Sequence, residues 1–230
     1  MAIAFRRLPK AGIVGSNNYV FRHYGVEPLG YLCFTAEKAQ STVAMSVCGA
    51  PTEGQEFETS TNGVDWSAFI PGTTTISLTN VGDKVYFRGN NTTVSESSSM
   101  YYSFVMTGLI AASGNIMSLL DKTCQSTVIS SDYCYYDMFI GCTSLTTAPA
   151  LPATNLSGYC YYDMFRGCTS LQVYSSYGTG HTKTWRIPKS GNVSPYTTQG
   201  YMFYGCPGDY ETSTEVSLNT TFYTQNTPVS

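Results

Sequence analysis

The chain is short of charge. Only 12% of its 230 residues are Asp, Glu, Lys or Arg, about half the usual ~25%. Twelve cations against fifteen anions leave a net charge of −3, so no bulk attraction to nucleic acid is expected. His23 and His181 are the only histidines, which excludes a His-rich metal centre. Zinc sites need closely paired ligands such as C-x₂-C, and the nearest cysteines here are eight apart. No run approaches the ~20 apolar residues of a membrane span, so membrane insertion is not expected. Phosphate-cradling and nucleophile-elbow motifs (G-x-x-x-x-G-K-[ST], G-x-S-x-G) are missing too. No catalytic residue, metal or cofactor is therefore assigned, and the expectation is a protein that is not an enzyme.

In place of charge stand Ser, Thr, Asn, 21 glycines and 19 tyrosines, with apolar residues at 42%. That mixture excludes a disordered chain and suits a β-rich or turn-rich extracellular or particle surface. The opening residues, Met1 to Lys10, place Arg6, Arg7 and Lys10 after a short apolar patch. That order does not read as a secretory signal. The expectation is synthesis in a cytoplasm and arrival outside within an assembled particle. Without an export signal the eight cysteines are expected to be mostly reduced thiols.

Four regions follow. Residues 1–29 are either a frayed terminus or an extended arm that docks on a partner chain. Arg6, Arg7, Lys10 and Arg22 give the arm its charge, and Tyr19 and Phe21 are among its apolar anchors. Residues 30–111 read as strands at intervals of 8–12 residues, the spacing of an antiparallel sandwich. Val43, Met45 and Val47 alternate onto one face. Asn62-Gly63 is a two-residue hairpin signal, with Trp66 packed on the returning strand.

Residues 112–206 hold an internal repeat. Tyr133-Cys-Tyr-Tyr-Asp-Met-Phe-Ile-Gly-Cys-Thr-Ser-Leu145 returns 26 residues later as Tyr159 to Leu171, with twelve of thirteen positions identical. Only Ile140 and Arg166 differ. A partial third copy, Tyr201 to Cys206, comes 38 residues after the second, so an insertion lies within 172–199. A degenerate earlier unit starts near Ile116. Each unit is expected to hold a short helix or turn around Cys134 to Phe139, ended by Gly141, and then an extended segment from Leu145. Stacking would place Phe139 over Phe165, Met138 over Met164 and Leu145 over Leu171, with Cys142 and Cys168 in a thiol ladder; Phe203 and Cys206 of the partial copy belong to the same expected repeat core. So few units cannot bury their faces alone; the stack must lean on the sandwich and be capped by 207–230. Asp137 and Asp163 recur at equivalent positions and read as turn or cap groups, not as an acid–base pair.

The tyrosines around the repeats either pack the repeat core or form a contact surface. The insertion is the candidate receptor-contact loop, with Tyr174, Tyr177, Trp185, Arg186 and Tyr196. His181, in the same insertion, reads as a solvated loop histidine.

The unit F-x-G-C-x-S-L, followed by Leu151-Pro152, resembles the BspA-like leucine-rich repeats of bacterial surface antigens. Together with Thr79 to Thr93 and Ala112 to Leu120, the repeats resemble virion-surface, fibre-type proteins of Bacteroidales phages and prophages. This resemblance implies a mainly β chain, an antiparallel sandwich followed by a short leucine-rich solenoid. It implies a virion structural protein of capsid or tail, held by its amino-terminal arm to other virion proteins. It also implies attachment to a host surface glycan or protein, and a homo-oligomer, of which a trimer is one form. A bacterial cell-surface adhesin or carbohydrate-binding protein is the alternative.

Overall fold

The computed structural model describes residues 30–51, 55–186, 200–216 and 221–225. The arm residues Arg6, Arg7, Lys10, Tyr19, Phe21 and Arg22, and Tyr196 of the insertion, lie outside the described residues. The protein is mainly β, and its one described helix is a single 3-10 turn, Ile116–Leu119. The strands are β1 (Leu32–Ala36), β2 (Ser41–Cys48), β3 (Phe57–Ser60), β4 (Ser67–Phe69), β5 (Thr75–Leu78), β6 (Lys84–Gly89), β7 (Tyr101–Thr107), β8 (Ile110–Ser113), β9 (Leu145–Thr147), β10 (Val173–Tyr174), β11 (His181–Arg186) and β12 (Thr221–Gln225).

One sheet has the order β4-β3-β6-β1-β8-β9 and a second the order β5-β2-β7. All pairs are antiparallel except β8 with β9. Period-two alternation places one face of each sheet inward. Phe34 and Phe87 from the first sheet meet Phe104 of the second at ring separations of 4.8 and 5.1 Å. Val43 and Met45 join this core, but Val47 does not: it is 41% exposed. The alternation expected through Val47 fails at the far end of β2, where its side chain lies near Gly72. The Asn62-Gly63 hairpin is also corrected. β3 and β4 pair from Phe57↔Phe69 to Thr59↔Ser67, so the loop is several residues long. Asn62 Oδ1 accepts from the amides of Val64 and Asp65, which holds that loop as a compact turn. Trp66 packs edge-on against Tyr31, with the Arg88 guanidinium 3.9 Å above its ring centre.

The repeat continues both sheets. On one side β7 donates from Phe104 N to Met138 O, and Ser103 Oγ donates to Asp137 O. On the other, β8 runs into β9, and the amide of Ile116 donates to Ala150 O. Isolated parallel bridges tie Asn115 to Ala150 and Val128 to Asn155, so the segment between Asn115 and Val128 lies against the first repeat as an earlier coil. Within each unit the short helix or turn resolves as turns. Tyr133, Asp137 and Gly141 all have φ between 55° and 67°, and Tyr159, Asp163 and Gly167 repeat this at 54° to 73°. A left-handed residue every fourth position bends the chain. The pairs between them, Cys134 with Tyr135 and Met138 with Phe139, point inward and are fully buried.

Successive coils are joined by backbone bonds from alternate residues. Tyr133, Tyr135, Asp137, Phe139 and Gly141 donate to the carbonyls of Gly158, Cys160, Tyr162, Met164 and Arg166 at 2.7–3.2 Å. Asp163, Phe165 and Gly167 donate likewise to Gly200, Met202 and Tyr204. Phe139 and Phe165 therefore stack at 5.2 Å with a 2° tilt, and Phe165 and Phe203 at 5.8 Å. Leu145 and Leu171 are fully buried. Each thiol reaches back one layer: Cys142 Sγ donates to Phe104 O, Cys168 Sγ to Phe139 O and Cys206 Sγ to Phe165 O, at 3.0–3.1 Å. None of the eight cysteines is bridged. The glycines also form a column: a Cβ on Gly205 would stand 3.3 Å from the Gly167 Cα, tight enough that a neighbour would have to give slightly, whereas one on Gly167 would make ordinary contact at 3.6 Å.

Glu211 and Thr214 accept the amides of Gly205 and Tyr201 and so cover the last coil. β12, expected as a cap, inserts between β10 and β11 and thereby joins the insertion in a third sheet. One hydrophobic core runs unbroken from Leu32 to Phe222. That continuity predicts a single cooperative denaturant transition for Leu32 to Phe222. Phe165→Ala, which opens a cavity mid-column, should cost about 3–5 kcal/mol and move that whole transition to lower denaturant. Two separated transitions, with only one displaced, would contradict the shared core.

Candidate functional site

The turn geometry sorts the tyrosines. In Tyr133-Cys134-Tyr135-Tyr136 the inward position takes Tyr135, fully buried and stacked on Tyr161 at 6.1 Å. The bend and the residue before the next bend take Tyr133 and Tyr136, each half-buried. The 26-residue offset then lays Tyr133 over Tyr159 at 4.8 Å and Tyr136 over Tyr162 at 5.7 Å, with tilts of 3° and 6°. The two columns touch edge to face, Tyr133 with Tyr136 at 5.6 Å and Tyr159 with Tyr162 at 5.8 Å. Tyr101 of β7 extends the strip at one end, and Tyr201 and Tyr204 at the other. Seven rings are thus in contact on one face of the coils. The Arg166 guanidinium lies 5.7 and 5.5 Å from the Tyr201 and Tyr204 ring centres.

Two carboxyl groups lie beneath this strip. Asp137 and Asp163 occupy the same bend in successive coils and are 5% exposed. Asp163 has an ion pair with Arg166 at 3.4 Å. Asp137 has Ile140 where its repeat has Arg166, and its Oδ1 finds no hydrogen-bond partner. Burial, then the nearby Asp163 carboxylate, raise the Asp137 carboxyl to about 7; a hydrogen bond from Tyr101 and the charge of Arg166 oppose this. Burial also raises Asp163, and its arginine holds that rise back. The one position that differs between the two thirteen-residue copies therefore gives Asp163 an ion-pair partner in its own coil that Asp137 lacks. Sequence reading took both as cap groups; their spacing held no sign of the missing partner.

The expected contact residues divide. Tyr174 and Tyr177 come together with His181 and Tyr223: Tyr174 stacks on His181 at 4.3 Å, and Tyr177, 74% exposed, stands edge-on to His181 and Tyr223. His181 is a partly buried strand residue with Nδ1 3.0 Å from Ser176 O, not a solvated loop histidine, because β12 lays Tyr223 beside it. Trp185 and Arg186 pair through their backbones with Phe222 and Thr221. The repeat-core residues Phe139, Cys142, Leu145, Phe165, Cys168, Leu171, Phe203 and Cys206 are all at most 3% exposed. Of the strip, Tyr136, Tyr162 and Tyr201 are among the repeat tyrosines expected either to pack the core or to form a contact surface, whereas Tyr101, Tyr133, Tyr159, Tyr204 and Arg166 carry no such expectation. The signal for the strip was the four-residue alternation of inward and outward positions, which shows only once the bends are known. Among the described residues no group of three His, Cys, Asp or Glu is placed to hold a metal ion. No protein-family model, curated protein or solved structure matches the chain.

Asp137 carries a pH signature. Its folded value lies above the unfolded 3.8, so the stability it contributes is full below that value and is lost as pH rises through about 7. Asp137→Asn, whose amide tolerates the left-handed bend, should flatten this limb and raise Tm at pH 8 by at least about 2–4 °C, the equivalent of roughly 1 kcal/mol. Ile140→Arg should do the same by supplying the missing cation. Thermal melts from pH 4 to 8 read both; an unchanged slope in the two variants would contradict the assignment.

Proposed function

We propose that the chain is a non-enzymatic display protein of a virion, holding an adhesive surface toward a host cell. In finer terms the fold is an antiparallel β-sandwich continued by a short BspA-like leucine-rich solenoid. The observation that carries the reading is the strip of seven contacting tyrosines on coils locked by a backbone ladder. Aromatic rings held in place give a large contact area with little entropy lost on binding. The strip holds one cation, Arg166, already paired with Asp163, so contact there is aromatic and hydrogen-bonding more than electrostatic. The amino-terminal arm anchors the chain to other virion proteins. Several copies on one particle, as a trimer or larger oligomer, multiply weak single contacts with a host glycan or protein.

The same surface would serve a bacterial adhesin, and the two readings part on location. Mass spectrometry of purified particles should find the chain; its absence there, with recovery from a cell envelope instead, would sink the virion reading. For adhesion, beads bearing the full chain should bind host cells. Tyr136→Ser with Tyr162→Ser should reduce that binding about tenfold or more, as for loss of central aromatic anchors. Undiminished adhesion by the double variant would remove the strip from the proposal.

A further inference from the structure

A second feature stands apart from the strip, at the opposite end of the strand order. The first sheet is wider than the second: β3 and β4 extend beyond β6 as its last two strands. Their inner face changes character over one cross-strand step. Phe57 and Phe69, paired across the strands, are each 3% exposed and belong to the core. The next pair on that face is Thr59 with Ser67. Here a cleft of ≈ 390 Å³ opens, with Val85 and Ile76 among its lining residues and the turn after β3 at its edge. Its volume falls within the ~300–1,000 Å³ of small-molecule sites.

The turn at the edge is built from inside. Ser60 Oγ accepts from Gly63 N at 2.8 Å and donates to Asn62 Oδ1. Asn62 Nδ2 donates to Asp65 Oδ2 at 2.8 Å. Ser60 and Asn62 are therefore occupied in holding the loop. The hydroxyls of Thr59, Thr61 and Ser67 and the second carboxylate oxygen of Asp65 line the cleft and carry no hydrogen bond to any described residue. Thr59 is 7% exposed. Its hydroxyl is nonetheless open to the cleft, and Thr61, Asp65 and Ser67 are exposed, so water meets these groups and a ligand's hydroxyls can take its place; the same face is apolar one step away. Hydroxyls and a carboxylate free of protein partners, beside the partly buried Ile76, suit a ligand rich in hydroxyls.

We infer that this cleft is a binding site for a neutral saccharide, a free monosaccharide or the terminal residue of a glycan. A pyranose has the matching chemistry: an apolar C–H face for the partly buried Ile76, and a rim of hydroxyls that both donate and accept. Asp65 accepts from adjacent sugar hydroxyls, while Thr59 and Ser67 pair with hydroxyls at the inner end. A carboxylate at the rim disfavours acidic sugars. The site is independent of the tyrosine strip and stands whether or not the strip adheres to cells.

The test uses the full chain with glucose, galactose, mannose, fucose and N-acetylglucosamine, followed by saturation-transfer NMR and titration of backbone amide shifts. At least one sugar should receive saturation and shift the amides of residues 59–67. Thr59→Val, nearly isosteric, and Asp65→Asn, on the exposed loop, should each weaken that binding about three- to tenfold. Val128→Ser, exposed and outside both the cleft and the strip, should leave it unchanged. Absence of transfer to all five sugars, binding undiminished in both cleft variants, or binding lost in the Val128 variant would each overturn the inference. Asp65→Asn, lying outside the core, keeps the test open if Thr59→Val fails to fold.

Discussion

The repeat half depends on a backbone ladder that runs between bends instead of strands. Alternate amides in 133–141 find carbonyls in the next coil, as in a parallel sheet, although every fourth residue has positive φ. Left-handed backbone in a residue other than glycine costs of order 1–3 kcal/mol. Tyr133, Asp137, Tyr159, Asp163 and Tyr201 all bear it. The ladder, the inward pairs and the stacked rings must together offset that cost, so a unit on its own has little reason to adopt this shape. The columns of phenylalanine, tyrosine, glycine and cysteine follow from the same register.

Cysteine suits its column for a definite reason. The site is fully buried and small, and each thiol hydrogen donates to a carbonyl one layer back. Burial raises the Cys142 thiol to about 12 and Cys168 upward as well. These sulfurs thus behave as small packing groups that also donate weakly. The reactivity that often explains a retained cysteine plays no part in this arrangement.

Much of this was legible in the chain itself. Identity at twelve of thirteen positions pointed to equivalent places, and equivalent places in a stack must lie over one another. Strands at β5, β6 and β7 were visible because alternation and turn residues coincided there. The rest was hidden for physical reasons. Asn62-Gly63 reads as a tight hairpin locally, but Asn62 spends its side chain on a larger turn. Val47 continues the alternation of residue types, but burial stops at Met45 and leaves Val47 41% exposed beside Gly72. The tyrosine strip depended on which bend residues turn outward, and local spacing does not encode that. β12 pairs with strands some forty residues earlier, a partnership that no window of sequence contains.

The two copies also differ in charge. Arg166 neutralises one buried acid, and Ile140 leaves its counterpart bare. Arginine in both copies would set two guanidinium groups one layer apart, each with its own aspartate beneath it. A segment that stacks on its own copy brings every like charge over its twin, so an outward charge there needs a counter-charge in its own layer. Tyrosine, uncharged and able to stack on its own kind, meets no such demand.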